Sequence, residues 1–188
     1  MADFTKQAIR AAFIQLLNEK PFKQITVRDI VDTCGVNRNT FYYHFADIPQ
    51  LLESIIQEDS ERILQQNAPL HSLEDCLQAA LSFALENRRA VLHIYRSANR
   101  DLYEQYQWRI CEHLVTLMID NMLQTHTVSD KDRRILIDYL KYVCFGSIMG
   151  WLEHGMQADI LADVHRLCEI KAGNLEEMIS FCEKHPAS

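Results

Sequence analysis

Between one breaker and the next, the apolar residues of this chain return every three or four positions. From Thr5 to Glu19 they fall at Ile9, Ala12, Phe13, Leu16 and Leu17, the i, i+3, i+4, i+7, i+8 spacing that lines one face of a helix. The breakers are few, with five glycines and four prolines in 188 residues. A many-stranded fold needs turn residues at every reversal, so this scarcity selects long helices joined by short connections. The expected class is all-α, with about nine helices.

Local signals set the boundaries. Pro21 ends the first helix. Thr26 with Asp29 three residues later forms a capping-box pair for a second, with Val27, Ile30 and Val31 turned inward. Cys34-Gly35-Val36 makes a tight turn suited to a left-handed glycine, and Asn37 caps a third helix, with Val36 placed to staple onto Phe41. A fourth helix is expected from near Ile48 to about Gln66, where Asn67-Ala-Pro-Leu-His breaks the pattern. Ser72 with Asp75 opens a fifth to about Asn87. A sixth runs from near Arg88 to Ser97 and a seventh from about Asn99 to Gln124. An eighth follows Thr127–Ser129 and ends near Gly155, and a ninth spans Asp159 to roughly Lys184. No repeat or flexible linker separates these elements. The module boundary is placed at 47/48, giving a small module over 1–47 and a larger one over 48–188, with the fourth helix as their joint.

Charge supports that division. The formal charge of −7 is uneven: residues 1–50 carry six Lys/Arg against five Asp/Glu, and the remainder carries thirteen against twenty-one. The front is therefore near +1 and the rest near −8, so nucleic-acid contact is expected from the N-terminal segment alone. Apolar residues make up 48%, yet no stretch approaches the about 18 to 20 uninterrupted apolar residues of a membrane span. The start, MADFTKQAIRAAF, carries an acidic residue and has no apolar leader core, so a cytoplasmic protein with no membrane partner is expected. Six scattered cysteines without a C-x-x-C pair are expected to be reduced and mostly buried.

The residues with distinctive chemistry are those of the third helix. At about 100° per residue, Phe41 and Phe45 share one side while Asn39 and Tyr43 point the opposite way. Thr40 and Tyr42 flank them, and Arg38 and His44 lie at the shoulders. A helix with two aromatic anchors inward and a hydrogen-bonding face outward suits a DNA major groove. Asn39 can reach a base edge, Arg38 can fork onto guanine or a phosphate, and Thr40 can meet a thymine methyl or a phosphate. Tyr42, Tyr43 and His44 are candidates for backbone or thymine contacts, and Asn37 joins the set as the cap that starts the helix. Thr26 and Arg28, at the start of the preceding helix, can hold a phosphate against its positive end.

The strings Ile25-Thr-Val-Arg-Asp-Ile-Val and Cys34-Gly-Val-Asn-Arg-Asn-Thr-Phe-Tyr-Tyr-His-Phe45 resemble the signature of the TetR family of transcriptional regulators, over about residues 5–56. That resemblance implies a three-helix DNA-binding domain with its recognition helix at Arg38 to His44, and a homodimer reading a palindromic operator. The C-terminal portion resembles the family's helical regulatory domain only weakly. One position departs from the pattern: where family members commonly place a phosphate-binding lysine, this chain has Ile48 beside Asp47. Weaker DNA binding is expected from that change.

In the second module the signals are sparser. Gly146 and Gly150 stand one turn apart in the eighth helix, although each costs about 1 kcal/mol relative to alanine there. The resemblance implies a dimer interface in the last helices, and these glycines are its candidates, with packing inside one subunit or a local bend as the alternatives. Candidates for an effector pocket are His93, Tyr103, Trp108, Tyr142 and Trp151, drawn from a wider set that includes Tyr95 and Tyr139. No cofactor is expected, and the class of a small-molecule effector stays open. His165 and Cys168 share a helix face, and Cys111-x-His113 is badly spaced for a shared one. Neither completes a tetrahedral set, so no metal site is expected. A redox role for Cys34 needs a positive environment that the sequence does not establish. The chain has no phosphate-binding glycine loop, no G-x-S-x-G and no H-E-x-x-H, so it is not expected to be an enzyme. The leading expectation is a ligand-responsive repressor. An activator or co-activator whose C-terminal domain binds a partner protein stays open. So does a helical interaction protein that no longer binds DNA, which Ile48 alone favours.

Overall fold

The computed structural model describes residues 2–65, 70–170 and 174–187, with the side chains of Ala2, Asp3 and Cys168 left aside. Among these residues the structure is all-helical, with ten α-helices: α1 (Ala2–Glu19), α2 (Val27–Cys34), α3 (Arg38–His44), α4 (Ile48–Leu64), α5 (Leu73–Glu86), α6 (Arg88–Tyr95), α7 (Arg100–Met122), α8 (Asp130–Glu153), α9 (Ile160–Ile170) and α10 (Asn174–Lys184). The count corrects the nine expected. The single helix read from Asp159 to Lys184 is two, α9 and α10, separated by residues 171–173, which lie outside the described residues. The apolar period read from Asp159 to Lys184 belongs to these two helices.

Packing divides the chain into two compact units, one comprising everything up to Glu61 together with Phe83–Tyr106, and the other Arg62–Ser82 with Gln107–Ser188. This grouping differs from the sequence boundary at 47/48, because α6 and most of α4 pack with the first three helices.

The first unit is built on α1. Its stripe of Ile9, Ala12, Phe13, Leu16 and Leu17 is buried, and α2 and α6 pack against the helix. Lacking an amide hydrogen, Pro21 stops α1 and leads into a 3-10 turn at Phe22–Gln24, where Phe22 meets Phe13 edge-on at 6.2 Å. Ile30, Val31, Phe41, Phe45, Leu51, Leu52, Ile55 and Ile56 fill the rest of this core. Lys6 and Arg10 on α1 both pair with Glu58 on α4.

The second unit centres on α7 and α8, with Leu114, Val115, Met118, Ile119, Cys144 and Ile148 almost wholly buried. Buried with them, Cys76 of α5 contacts Met118 Sδ at 3.8 Å. After α8 the chain reverses through Gly155 (φ 72°) and the buried Met156 (φ 58°). The Met156 amide donates to Trp151 O and the Trp151 indole donates to Ala158 O at 2.8 Å, which holds this left-handed reversal closed.

Candidate nucleic-acid interface and regulatory elements

Helices α2 and α3 owe their placement to caps. The Asp29 amide donates to Thr26 Oγ1 (3.2 Å), while the Thr26 amide and hydroxyl both donate to Asp29 Oδ2 (2.8 Å each), a reciprocal capping box. Lys20 Nζ lies 2.9 Å from the same carboxylate oxygen. The hydrogen bond from Lys20, followed by those from Thr26, holds the Asp29 carboxyl down at about 2. Gly35 closes α2 at φ 70°, a conformation in which a Cβ is strained. Asn37 then caps α3, its Oδ1 accepting the Thr40 amide at 2.8 Å and the Thr40 hydroxyl at 3.0 Å.

On α3, Phe41 and the C-cap residue Phe45 are buried with rings 5.9 Å apart. Their opposite face is exposed: Arg38 and Asn39 lie in solvent, Tyr43 is 80% exposed, and Tyr42 stands edge-on to Phe41 at 5.4 Å. The half-buried His44 ring is edge-on to Tyr43 at 5.1 Å. The helix-turn-helix thus brings together all nine residues expected at DNA, but they divide in kind. Thr26, Asn37 and Thr40 use their oxygens inside the protein, shaping the two helices. Arg38, Asn39 and Tyr43 project. Arg28 is exposed, and its Nε lies 3.5 Å from Asp32 Oδ2 one turn on, so meeting a phosphate means exchanging that partner.

Sequence reading missed one feature of this surface. The Gln50 amide donates to Asp47 Oδ1 (2.8 Å) and the Ala46 amide to Gln50 Oε1 (2.6 Å), so Asp47 caps α4 immediately after the recognition helix. The signal was an Asp followed three residues later by Gln, a capping pattern overshadowed by the substitution at Ile48.

The five effector candidates are not gathered in one place. His93 Nδ1 lies 2.7 Å from Leu17 O, and Tyr103 is buried, both in the first unit. In the second unit Trp108 stacks at a tilt on Tyr142 (5.4 Å) and edge-on to Phe145 (5.1 Å), while Trp151 braces the turn after α8. Beside this aromatic group sits the buried Lys141, its Nζ 4.7 Å from the Trp108 ring centre, 2.8 Å from Asp138 and 3.4 Å from Glu112. Burial opposes its charge. The two carboxylates outweigh burial and hold the ammonium above its usual range. A groove of about 480 Å³ lies elsewhere, between α8 and α10, lined by residues that include Ile135, Met178 and Phe181. None of the five effector candidates lines it.

Gly146 and Gly150 both lie exposed on α8, and among the described residues no atom of another element comes within 4 Å of where a Cβ would stand on either. Among the described residues, no neighbouring helix of the subunit therefore explains them. Of the two cysteine–histidine pairs, Cys111 is buried, and the Cys168 side chain is outside the described residues. His165 pairs with Glu74 at 3.0 Å.

Comparison with known proteins agrees with this geometry. Residues 9–55 match the family described as bacterial regulatory proteins, tetR family, and residues 71–170 match the transcriptional regulator C-terminal region. Among curated proteins the chain is 30% identical over 84 residues to the dhaKLM operon transcriptional activator DhaS of Lactococcus lactis, covering 45% of each. It is 36% identical over 98 residues to the transcriptional repressor BepR of Brucella suis, covering 47% of each. The chain thus spans about half the length of these relatives. The solved structure of the dihydroxyacetone kinase operon activator DhaS superposes with a TM-score of 0.76 at 21% identity, over 95% of this chain and 98% of that one. NalD, the secondary repressor of the MexAB-OprM efflux pump in Pseudomonas aeruginosa, superposes at 0.58 and 22% identity, over 90% and 95%. With its helix-turn-helix and most of its remaining length matched, this chain belongs to the TetR family of transcriptional regulators.

Proposed function

We propose that the protein is a repressor that binds a palindromic operator as a homodimer, under the control of a small-molecule effector, in the cytoplasm. The observation that carries the DNA half is α3 itself: Phe41 and Phe45 anchor it, and Arg38, Asn39 and Tyr43 project from the opposite side. Arg38 and Asn39 are assigned to base edges, Tyr42, Tyr43 and His44 to backbone and thymine, and Arg28 at the start of α2 to a phosphate. Thr26, Asn37 and Thr40 serve by fixing the helices that carry these groups. Residues 1–47 then form the DNA-reading module, and 48–188 the regulatory one.

The dimer is supported by α8. By length and composition this helix is apolar enough to cross a membrane, and one face is buried within its own unit through Leu136, Leu140, Cys144, Ile148 and Trp151. The other face is apolar too, with Ile135 54% and Tyr142 60% exposed alongside Tyr139, Gly146 and Gly150. Phe181 of α10, across the groove, is 63% exposed. The strip formed by Ile135, Tyr139, Tyr142, Gly146 and Gly150 is apolar surface that calls for cover. A second copy supplies it, with the glycines where two backbones come closest. For the effector, Trp108, Tyr142 and the neighbouring Lys141 form an aromatic group with a charge at its centre.

A second reading, an activator whose C-terminal domain binds a partner protein, is favoured by one observation: DhaS, among the relatives, is named an operon activator. A footprint relative to a promoter, with transcription measured in a deletion strain, separates repressor from activator. The DNA reading is tested by Arg38→Ala and Asn39→Ala. Each is expected to reduce operator affinity by about 1 to 3 kcal/mol while leaving random-sequence binding much less affected. Equal loss on both DNAs contradicts base readout at those positions.

A further inference from the structure

Two helix ends in the first unit lack the partners that their own helix would normally supply. At the C-terminus of α1, the Leu17 carbonyl would accept from the amide of residue 21, but residue 21 is proline and has none. At the N-terminus of α6, the N-cap Asn87 makes no capping hydrogen bond with its side chain. Each end is completed by a side chain from the other helix. His93 of α6 places Nδ1 2.7 Å from Leu17 O, and since a carbonyl only accepts, the hydrogen sits on Nδ1. Asn18 of α1 accepts the Ala90 amide with Oδ1 at 3.2 Å, the third position of α6, and so caps that helix from 72 residues away. Asn18 is held in this pose by donating Nδ2 to Ile14 O (3.0 Å) and to Asn87 Oδ1 (3.3 Å).

We propose that Asn18 and His93 are positioning residues for DNA binding, forming a reciprocal cap that fastens α6 to α1 and thereby fixes the helices that read the operator. The route is short. Helix α6 packs on α1, α1 packs on α2, and α2 packs on α3, all within one compact unit. The apolar side of α6, made of Ala90, Val91, Ile94 and Tyr95, supplies adhesion without direction, whereas the two caps fix rotation and register because each needs a donor and acceptor aligned within about 3 Å. A movement of α6 that parts these caps releases α1 and, through it, α2 and α3. His93 accordingly acts through the backbone of Leu17 and not through a bound effector.

The test uses the full-length chain and reads amide hydrogen exchange over residues 27–44 in the absence of DNA. His93→Phe keeps a ring but removes the donor. It is expected to speed exchange in α2 and α3, and not only in α1 and α6, by about fivefold, the factor that corresponds to losing one cap. His93→Asn, whose amide can stand where Nδ1 stands, is expected to restore slow exchange. Pro21→Ala gives Leu17 O an amide within its own helix, so His93→Phe in that background is expected to lose most of its effect. Should His93→Phe not fold, Asn18→Ala is read by the same measurement, with the same acceleration expected. Faster exchange confined to α6 and the last turn of α1 overturns the proposal, as does an effect of His93→Phe that Pro21→Ala leaves unchanged. Operator affinity is measured in parallel and rests on the DNA-binding reading, whereas exchange does not. A wild-type chain that binds no operator but transmits the exchange effect therefore indicts that reading and leaves the cap standing.

Discussion

The Asp47 carboxylate accepts the Gln50 amide at 2.8 Å and so fills the N-terminus of α4 with a negative charge, three residues beyond the end of the recognition helix. A bare helix N-terminus attracts phosphate through its amides and dipole. Here the protein's own carboxylate occupies that field, and the adjacent Ile48 brings no positive charge to offset it. Weaker attraction for the DNA backbone is thus the expected consequence of two neighbouring residues acting together. Ile48→Lys is expected to raise affinity for operator and random DNA alike and to steepen the dependence of log K on log salt by about 0.9, the increment for one phosphate contact. Asp47→Asn, which keeps the cap and removes the charge, is expected to raise affinity in the same sequence-independent way. Salt titrations of binding check both, and an unchanged slope for Ile48→Lys places α4 away from the phosphates.

Asn37 caps α3 as its sequence position predicts, its Oδ1 accepting from the Thr40 amide and hydroxyl. Asn37→Ala is expected to cost about 1 kcal/mol of stability in urea unfolding, and Asn37→Ser much less, since serine caps nearly as well. Equal stability of all three proteins contradicts a capping role.

The space around Gly146 and Gly150 gives the interface claim a sharp form. A Cβ at either position meets no atom of another element within 4 Å among the described residues. Gly→Ala at either site is therefore expected to stabilise the helix by about 1 kcal/mol if nothing else touches it. Gly146→Leu with Gly150→Leu is expected to leave helicity intact and to convert a dimer to monomers in light scattering. Retention of the dimer mass by the double leucine variant contradicts the placement of the interface.

Much of the architecture was readable because it is written in local chemistry. Thr26 with Asp29, Gly35, Asn37, and Ser72 with Asp75 each mark a helix end through partners no more than four residues away, and each is found where expected. The recognition helix was legible for the same reason, its inward and outward faces being set by the period of a single helix. Long-range relations were not legible. Asn18 and His93 look like an ordinary surface amide and a pocket histidine until the fold brings each to the other's helix. The division into α9 and α10 is not legible in the sequence because their apolar positions follow one helical period from Ile160 to Ile179.

The capping box at Thr26 also has a pH signature. The Asp29 carboxyl is held at about 2, below its ordinary value of 3.8, by Lys20 and Thr26. A carboxylate depressed in the folded state stabilises fully above its unfolded value and loses that contribution as pH falls through the folded one. The first turn of α2 is therefore expected to hold at pH 5 and to loosen between about pH 4 and pH 2, seen as faster exchange of the Asp29 amide. In Lys20→Met the loosening is expected at higher pH within that window. A titration midpoint for Asp29 unchanged by Lys20→Met contradicts the assignment of Lys20 as the main cause.

The central claim, that α3 presents a sequence-reading surface and that two copies present it together, is met most directly by random-site selection with the purified full-length protein. The account predicts an inverted repeat whose half-site centres lie about 10 base pairs, or a multiple of one helical turn, apart, and loss of the enrichment when Asn39→Ala replaces the wild type. Recovery of no consensus, or of a single unrepeated site, contradicts it.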